Sequence, residues 1–262
     1  MIDIHTHILP GVDDGAEDLE DSYLMAELAE ESDVETIICT PHSNMRGIFE
    51  NYYTDEYTEK IQKLNRLVQD RGLSITLLPG MEIYATEDVA ERIRSGQVIS
   101  LNYTKNYLIE FGFHKSSIWM TKILEKILRL GVTPVVAHPE RYECVQQDPE
   151  VVQLWNNMGC QMQINKGSVF GKFGRGAWKV AGELLYSGQI SYVASDAHSP
   201  YQRTTYLKDT WHFLCEEFSR ELAQQVLYEN PYRLIHGERS PYIRKENAAS
   251  SAEQARVQHP FK

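Results

Sequence analysis

The chain begins Met1-Ile-Asp-Ile-His-Thr-His7, an apolar run that predicts a buried β-strand and carries two histidines two residues apart. Side chains at positions i and i+2 of a strand point to the same side, so His5 and His7 can face a single point in space. Imidazole nitrogens that converge in this way are suited to bind a metal ion. The stretch therefore predicts both the first strand of a sheet and part of a metal site.

Short apolar runs alternate with longer amphipathic segments along the rest of the chain, which is the pattern of a parallel β/α protein. The predicted strands are Ile2–His5, Thr36–Thr40, Ile75–Pro79, Tyr107–Phe111, Pro134–His138, Gln161–Asn165 and Ser191–Ser195. The predicted helices between them are Leu19–Glu31, Glu56–Arg71, Ile118–Leu130, Val151–Met158 and Trp178–Ser187. Repeated units of this size favour a closed or nearly closed α/β barrel over an open sheet.

Length and composition fit a globular protein with a substantial core, since 42% of the 262 residues are hydrophobic. The polar composition after Gly237 predicts one domain over residues 1–239 and a flexible tail over residues 240–262. A net charge of -11 makes nucleic acid an unfavourable partner. The sequence has neither an apolar run of about 18 residues nor a signal peptide, so we expect no membrane insertion and a cytoplasmic location.

Several common catalytic motifs are absent from the sequence. The four cysteines, Cys39, Cys144, Cys160 and Cys215, form no C-x-x-C pair, and none is followed by arginine in a C-x5-R phosphate loop. We therefore interpret them as reduced, mostly buried thiols. No dinucleotide-binding or P-loop glycine pattern is present either.

Acidic residues and histidines recur at the carboxyl ends of the predicted strands, where parallel barrels carry their active sites. They are His5, His7, His42, Glu82, Glu110, His138, Asp196 and His198. A single histidine at a strand end is more often a structural hydrogen-bonding residue. Glu110 is different, because a buried carboxylate in an apolar strand needs a cation or another partner. Six of the seven strand ends carry such residues, and the sixth offers Asn165-Lys166, so the sequence predicts a site for two or three metals.

Two arginines follow these residues closely. Arg141 lies three residues after His138, and Arg203 lies five residues after His198. Either could form a surface salt bridge, but their positions favour anion binding, since a guanidinium group matches phosphate oxygens in a bidentate manner. Arg46, shortly after His42, is a weaker candidate for the same role.

Six further segments complete a recognisable pattern with the amino-terminal one. They are Val12-Asp-Asp-Gly15, Thr40-Pro-His42, Gly80-x-Glu-Ile-Tyr84, Leu108-Ile-Glu-Phe111, Ala137-His-Pro-Glu-Arg-Tyr142 and Ala194-Ser-Asp-x-His198. From Met1 to about Gly237 the chain resembles the PHP (polymerase and histidinol phosphatase) superfamily. Within it, the chain is similar to the manganese-dependent bacterial tyrosine phosphatases of capsule and exopolysaccharide operons. The resemblance implies an α/β fold, a distorted (β/α)7 TIM-like barrel.

The resemblance also implies a set of metal ligands. One metal would bind His5, His7, Glu82 and Asp196, a second would share Glu82 and bind Glu110 and His138, and a third would bind Asp14, His42 and His198. The choice of Asp14 over Asp13 remains open, because sequence cannot orient adjacent aspartates. Mn²⁺ is the implied metal, at two to three ions per chain, with iron, zinc or magnesium as alternatives.

The implied reaction is hydrolysis of phosphotyrosine by a hydroxide generated from a metal-activated water. Arg141 and Arg203 would stabilise the phosphoryl group, and Asp196 or a water would protonate the leaving phenolate. The implied protein substrate is a bacterial tyrosine autokinase that controls capsule or exopolysaccharide synthesis.

Three alternatives remain at this point. The first is a small-molecule phosphomonoesterase such as histidinol phosphatase, the second is a PHP exonuclease, and the third is a metal-stabilised binding module without activity. The exonuclease is disfavoured by the acidic charge and the binding module by the complete set of ligand-type residues. The oligomeric state cannot be predicted from the sequence.

Overall fold

A computed structural model describes residues 1–238, and nine parallel strands lie within this part of the chain. They are β1 (Ile2–Thr6), β2 (Thr36–Cys39), β3 (His42–Ser43), β4 (Thr76–Pro79), β5 (Glu82–Tyr84), β6 (Asn106–Glu110), β7 (Thr133–Ala137), β8 (Gln161–Asn165) and β9 (Tyr192–Ala194). Each of the seven predicted strands is present with bounds shifted by at most one residue. The predicted domain end at residue 239 and the predicted tail lie outside the described residues.

The count exceeds seven because the second and third predicted strands are each followed by a break and a short additional strand. Pro41 separates β2 from β3, and Gly80-Met81 separates β4 from β5. A Cβ atom on Gly80 would lie 2.7 Å from a side-chain carbon of Ile38, so the chain crosses the neighbouring strand too closely for a larger residue. The strands consequently pair as two sheets, with orders β1-β2-β4 and β3-β5-β6-β7-β8-β9.

The first and last strands meet and bring the two sheets into a ring. The amide of His7 donates to the Ala197 carbonyl at 2.9 Å, and the amide of Asp196 donates to the His5 carbonyl at 2.9 Å. Because the pairing changes sheet after β2 and β4, the ring is not one continuous sheet. The predicted α/β fold of distorted barrel type is thereby confirmed.

Eleven α-helices lie in the described part of the chain, mostly on the outside of the ring. They are α1 (Leu19–Glu31), α2 (Asp55–Asp70), α3 (Val89–Arg94), α4 (Ser117–Leu128), α5 (Glu143–Gln147), α6 (Glu150–Met158), α7 (Lys166–Val169), α8 (Gly174–Tyr186), α9 (Lys208–Glu217), α10 (Arg220–Gln224) and α11 (Asn230–Ile235). All five predicted helices are among them. None of the helices within residues 1–238 has the length and apolar character needed to cross a membrane.

Local sequence explains where the long helices begin. The Asp18 side chain accepts hydrogen bonds from the amides of Glu20 and Asp21 at the start of α1, and Ser116 accepts one from Trp119 at the start of α4. The apolar stripe of α2, including Leu64 and Val68, is fully buried. These helices cover the outer face of the strands and form the larger part of the core.

The inner face of the strands changes character along the barrel. Apolar side chains from around the ring form a separate buried cluster that includes Ile4, Ile38, Leu108, Val135 and Tyr192. Glu110 lies two residues after Leu108 on β6, so both point to the same side. Polar side chains therefore occupy the interior near the carboxyl ends of the strands.

Candidate metal centre

The carboxyl ends of the strands bring all of the predicted histidines and acids into one place. His5 lies on β1 and His7 follows it. Glu110 ends β6, and three other residues follow β7 or β9: His138, Asp196 and His198. His42 and Glu82 begin the short strands β3 and β5, which continue beyond the ends of β2 and β4. Every one of these side chains is at most 11% exposed. The spatial convergence that the sequence predicted is therefore present.

Glu82 lies at the centre of this cluster. One carboxylate oxygen is 3.3 Å from His5 Nε2 and 3.1 Å from His138 Nε2. The other is 3.3 Å from His7 Nε2 and 2.9 Å from His42 Nδ1. A carboxylate that reaches imidazoles from several strands can bridge two cations, as its two oxygens face different parts of the cluster.

Three groups of ligand atoms each lie within 4.8 Å of one another. They are His7, Asp14, His42 and His198; His5, His7 and Asp196; and His42, Glu82 and Glu110. His138 lies beside the last group, 3.8 Å from Glu110. All nine predicted ligands are thus brought together, although the assignment of each residue to a particular ion stays a prediction.

The two adjacent aspartates take different positions. Asp13 faces His7, whose Nδ1 donates to it at 2.7 Å, and it also accepts the amide of His42 at 2.8 Å. Asp14 instead points toward the cluster, with Oδ1 3.5 Å from His42 Nε2 and 3.6 Å from His198 Nε2. This geometry favours Asp14 as the ligand and gives Asp13 the role of orienting His7 so that Nε2 is available.

Electrostatics also distinguish these groups. Burial opposes ionisation of Asp13, but His7 and the surrounding donors outweigh it and lower the pKa of Asp13 to about 2. Burial raises the pKa of Glu110 to about 8, and the neighbouring Glu82 carboxylate acts in the same direction. The ionised form of Glu110 is therefore unfavourable unless a cation lies beside it.

Buried atoms without hydrogen-bond partners test whether metals fit this centre. Glu82 Oε2, Glu110 Oε2 and His42 Nδ1 have no well-aligned hydrogen bond within the described part of the chain, although His42 Nδ1 lies only 2.9 Å from Glu82 Oε2. They nevertheless lie close together, with His42 Nδ1 3.6 Å from Glu110 Oε2. Imidazole nitrogens and carboxylate oxygens are the donors that manganese, iron and zinc accept. The residues therefore fit a multinuclear metal centre.

The backbone at the centre is strained at three positions. His138, Asp196 and Arg203 have positive φ values of 33°, 49° and 48°. Residues other than glycine pay a steric cost in this left-handed region, and such residues concentrate at functional sites. Two of these residues are predicted metal ligands and the third is a predicted phosphate-binding arginine.

Both predicted arginines lie at the rim of the metal centre. An Arg141 guanidinium nitrogen is 3.4 Å from Asp196 Oδ2, and an Arg203 guanidinium nitrogen is 2.6 Å from the same oxygen. Together with the cluster they line a cavity of about 240 Å³, to which Met45, Phe49 and Phe113 also contribute. Arg46 lies apart and forms an exposed ion pair with Asp88 at 2.8 Å, so its anion-binding role is not supported.

A larger cavity of about 410 Å³ lies at the opposite end of the barrel. It is lined by Met1, Ile2 and Glu35 together with residues of the carboxyl-terminal helices. It includes none of the clustered histidines. Volume alone therefore does not identify the reactive site.

The sixth predicted strand, β8, contributes Gln163, which sequence reasoning missed, and Asn165, which the sequence had placed at the one strand end without a ligand-type residue. Gln163 accepts a hydrogen bond from His5 Nδ1 at 2.9 Å and donates to Asn165 at 2.9 Å, and Asn165 donates to Asp196 at 2.5 Å. These amides orient two predicted ligands from a strand that has no ligand of its own. The alternating polar residues Gln161, Gln163 and Asn165 were a signal that could have identified this inner face.

Glu140 is a second residue whose role was not predicted from the sequence. It connects the segment that carries Arg141 to β8 and α7. The carboxylate is fully buried, and its Oε1 accepts from the amide of Asn165 at 3.0 Å and from Ser168 Oγ at 2.6 Å. Its Oε2 has no hydrogen-bond partner among the described residues. Burial raises the pKa of Glu140 from 4.5 to about 7, so the neutral acid predominates in the folded protein below about pH 7.

We expect Glu140→Gln to change how stability depends on pH. Because the folded pKa lies above the unfolded one, the contribution of Glu140 is complete below pH 4.5 and is lost as pH rises through 7. Between pH 5 and pH 8 the unfolding free energy of the variant should therefore rise relative to that of the wild type, by up to about 3 kcal/mol. Denaturation curves across this range measure the difference. Substitution of the exposed Glu143 by glutamine is the control. If the unfolding free energies of Glu140→Gln and the wild type changed with pH at the same slope, the expectation would be contradicted.

The fold and the site together define a protein of the PHP class, in which a distorted parallel barrel surrounds clustered histidines and carboxylates. The chain belongs to the capsular polysaccharide synthesis CpsB/CapC family, whose model matches residues 1–236. The resemblance noted in the sequence is thereby confirmed.

Similar proteins cover nearly the whole described structure. The chain is 35% identical over 238 residues to tyrosine-protein phosphatase YwqE of Bacillus subtilis, covering 91% of this chain and 92% of that protein. It is 34% identical over 240 residues to tyrosine-protein phosphatase CpsB of Streptococcus agalactiae, covering 90% and 98%. A crystal structure of YwqE from Bacillus subtilis and CpsB from Streptococcus pneumoniae, described as unique metal-dependent tyrosine phosphatases, matches with a TM-score of 0.86 and 34% identity. That match covers 94% of this chain and 97% of the other.

Proposed function

We propose that this protein is a metal-dependent protein-tyrosine phosphatase with a centre of two or three Mn²⁺ ions. The observation that carries the proposal is the placement of two arginines beside a buried cluster of histidines and carboxylates. Both guanidinium groups converge on Asp196 at the rim of the cavity. The relatives named as tyrosine-protein phosphatases support the same reaction.

The proposed ligands are the nine residues that the structure gathers at the strand ends. They are His5, His7, Asp14, His42, Glu82, Glu110, His138, Asp196 and His198. When bound, divalent ions supply Lewis acidity to a phosphoryl group and lower the pKa of a water molecule. The orienting contacts from Asp13 and Gln163 leave the Nε2 atoms of His7 and His5 directed into the cluster.

Arg141 and Arg203 are proposed to bind the phosphoryl group. Their side chains are 19% and 33% exposed, so each can reach the cavity while remaining partly shielded from solvent. The Nε atom of Arg203 is buried and has no hydrogen-bond partner in the described part of the chain. Guanidinium donors placed in this way would stabilise the charge that spreads over the phosphoryl oxygens.

Asp196 is better suited to hold the arginines than to supply a proton. Burial opposes its ionisation, but His5, His7 and Arg203 outweigh burial and hold the pKa of Asp196 well below its ordinary value. A tyrosine phenolate has a parent pKa of about 10 and leaves more readily than an alkoxide. The leaving group can therefore take its proton from water.

The apolar part of the cavity favours an aromatic substrate. Met45, Phe49 and Phe113 line it beside the two arginines. The ring of Phe49 stacks on His42 with centroids 5.5 Å apart, and Phe113 lies against His138 with centroids 6.0 Å apart. An aryl phosphate would present its ring to these side chains and its phosphoryl group to the arginines.

The protein substrate we propose is a phosphorylated bacterial tyrosine kinase of capsular or exopolysaccharide synthesis, encountered in the cytoplasm. The family description and the names of the relatives support a role in capsule synthesis. The acidic character of the chain, with a net charge of -11, disfavours a nucleic-acid substrate.

A substrate panel on the manganese-loaded protein tests the proposal. We expect phosphotyrosine peptides to be hydrolysed faster than histidinol phosphate, and we expect exhaustive chelation to abolish turnover. Preferential hydrolysis of histidinol phosphate would favour the small-molecule alternative.

Alkylation of thiols should leave turnover intact, because Cys39 and Cys160 are buried, no cysteine belongs to the metal centre, and burial raises the pKa of Cys160 to about 12. Loss of turnover in any one of the four Cys→Ser variants, with fold and metal content retained, would contradict the mechanism.

A further inference from the structure

The loop between α7 and α8 contacts both arginines although it carries none of the proposed ligands. The Arg141 guanidinium carbon lies 4.3 Å from the ring centroid of Phe173 and 4.7 Å from that of Phe113. The Arg203 guanidinium carbon lies 5.4 Å from the centroid of the same Phe173 ring. Phe173 therefore packs against cations from two different loops.

The position of the Phe173 ring is set by α7, the helix that precedes its loop. A Cβ atom on Gly167 would lie 2.6 Å from Phe173 Cε2, so the ring packs directly on the backbone at Gly167. The neighbouring Lys166 donates through Nζ to the Tyr206 carbonyl and lies 3.5 Å from Thr204 Oγ1. Helix α7, on which the Phe173 ring packs, is thus joined to the segment that follows Arg203.

We propose that Phe173 is a positioning residue that holds Arg141 and Arg203 in place for the phosphoryl group. This inference rests on the proposed function, which assigns phosphate binding to the two arginines. Aromatic faces attract guanidinium groups within about 6 Å of the ring centroid. Two like charges that share Asp196 Oδ2 would otherwise repel each other and sample many rotamers. A fixed Phe173 ring in contact with both guanidinium groups reduces the number of rotamers that Arg141 and Arg203 sample before substrate binds.

Phe173→Ala should weaken phosphate recognition without changing metal content. We expect kcat/KM for a phosphotyrosine peptide to fall about tenfold, because the substitution removes two cation–aromatic interactions. The inhibition constant of inorganic phosphate should weaken by a similar factor, since it reports on the arginines without turnover. Phe170→Ala is the matched control, because Phe170 lies on the same loop, is 37% exposed and packs against Phe213 at 5.4 Å.

A double-mutant cycle separates positioning from general packing. In the Arg141→Ala and Arg203→Ala backgrounds, the added effect of Phe173→Ala should shrink to about threefold or less, because one of the two cations is already gone. An undiminished tenfold effect in both backgrounds would overturn the inference, as would a silent Phe173→Ala. If the alanine variant does not fold, Phe173→Tyr should retain activity and phosphate inhibition while Phe173→Leu loses both. Equal behaviour of these two would also overturn it.

The same panel distinguishes this inference from the proposed function. Wild-type protein without phosphotyrosine activity would remove the proposed function and this inference with it. Full activity in both arginine variants would remove the phosphate-binding role of the arginines, and therefore this inference, while leaving the phosphatase activity standing. Large decreases in activity in the arginine variants together with a silent Phe173→Ala would remove the positioning role alone.

Discussion

Replacing Glu82 with alanine should abolish turnover and reduce bound metal in the same preparation. The Glu82 side chain is 1% exposed, and its carboxylate lies within 3.3 Å of imidazole nitrogens from His5, His7, His42 and His138. Its removal takes away the carboxylate around which these imidazoles lie and the negative charge that favours cations. We expect kcat/KM to fall on the order of 1,000-fold or more, measured beside metal content by elemental analysis.

Two further variants make the Glu82 result specific. Glu82→Gln keeps the shape of the side chain and removes its charge, so it should also lose metal. Glu87→Ala removes an exposed carboxylate that pairs with Lys126 at 2.8 Å, and it should keep both metal and activity. Full metal content with normal turnover in Glu82→Ala would show that the cluster is not the reactive centre.

The sequence was sufficient to predict which strand ends meet. In a parallel barrel all strands end on the same rim, so the position of a residue at a strand end already implies its neighbours. His42 and Asp196 are far apart in sequence, yet both could be placed by this rule. Helix α1 matches its predicted bounds, Leu19–Glu31, because its capping aspartate and apolar spacing are local signals.

The short strands that follow the second and third predicted strands were not predictable from periodicity. Strands β3 and β5 have two and three residues, which is too short for an alternating pattern to be recognised. They form because β3 pairs with β5 and β5 pairs with β6, and such pairing is a property of the folded sheet. The effect is to place His42 and Glu82 side by side.

The residues that orient the site depend on contacts between distant segments. Asp13 and Asp14 are chemically identical, and the amide of His42 selects Asp13 for the orienting position. Gln163 and Asn165 are neutral amides, so they carry no charge signal in the sequence. Phe173, in Phe170-Gly-Lys-Phe-Gly174, has the composition of an ordinary loop, and its partners come from two other loops.

Arg141→Ala should separate binding of the phosphoryl group from binding of metal. A guanidinium group donates hydrogen bonds and offers no acceptor atom to a metal, so removal of Arg141 should leave metal content nearly unchanged. Removing a charge-assisted bidentate interaction from a partly desolvated cavity should cost about 2–4 kcal/mol, or about 30- to 1,000-fold in kcat/KM on a phosphotyrosine peptide. The matched control is Arg46→Ala, since Arg46 is 63% exposed and pairs with Asp88 away from the cavity.

His138→Ala supplies the opposite pattern, because its Nε2 lies 3.1 Å from Glu82 and its removal should lower metal occupancy itself. Arg141 lies between the rings of Phe113 and Phe173 with a nitrogen 3.4 Å from Asp196, so its guanidinium is already aimed at the rim of the metal centre. Normal kcat/KM in Arg141→Ala would return this arginine to a surface salt-bridge role. A decrease in bound metal in the same variant would instead mean that Arg141 acts by holding Asp196 in place, and phosphate binding would then depend on Arg203 alone.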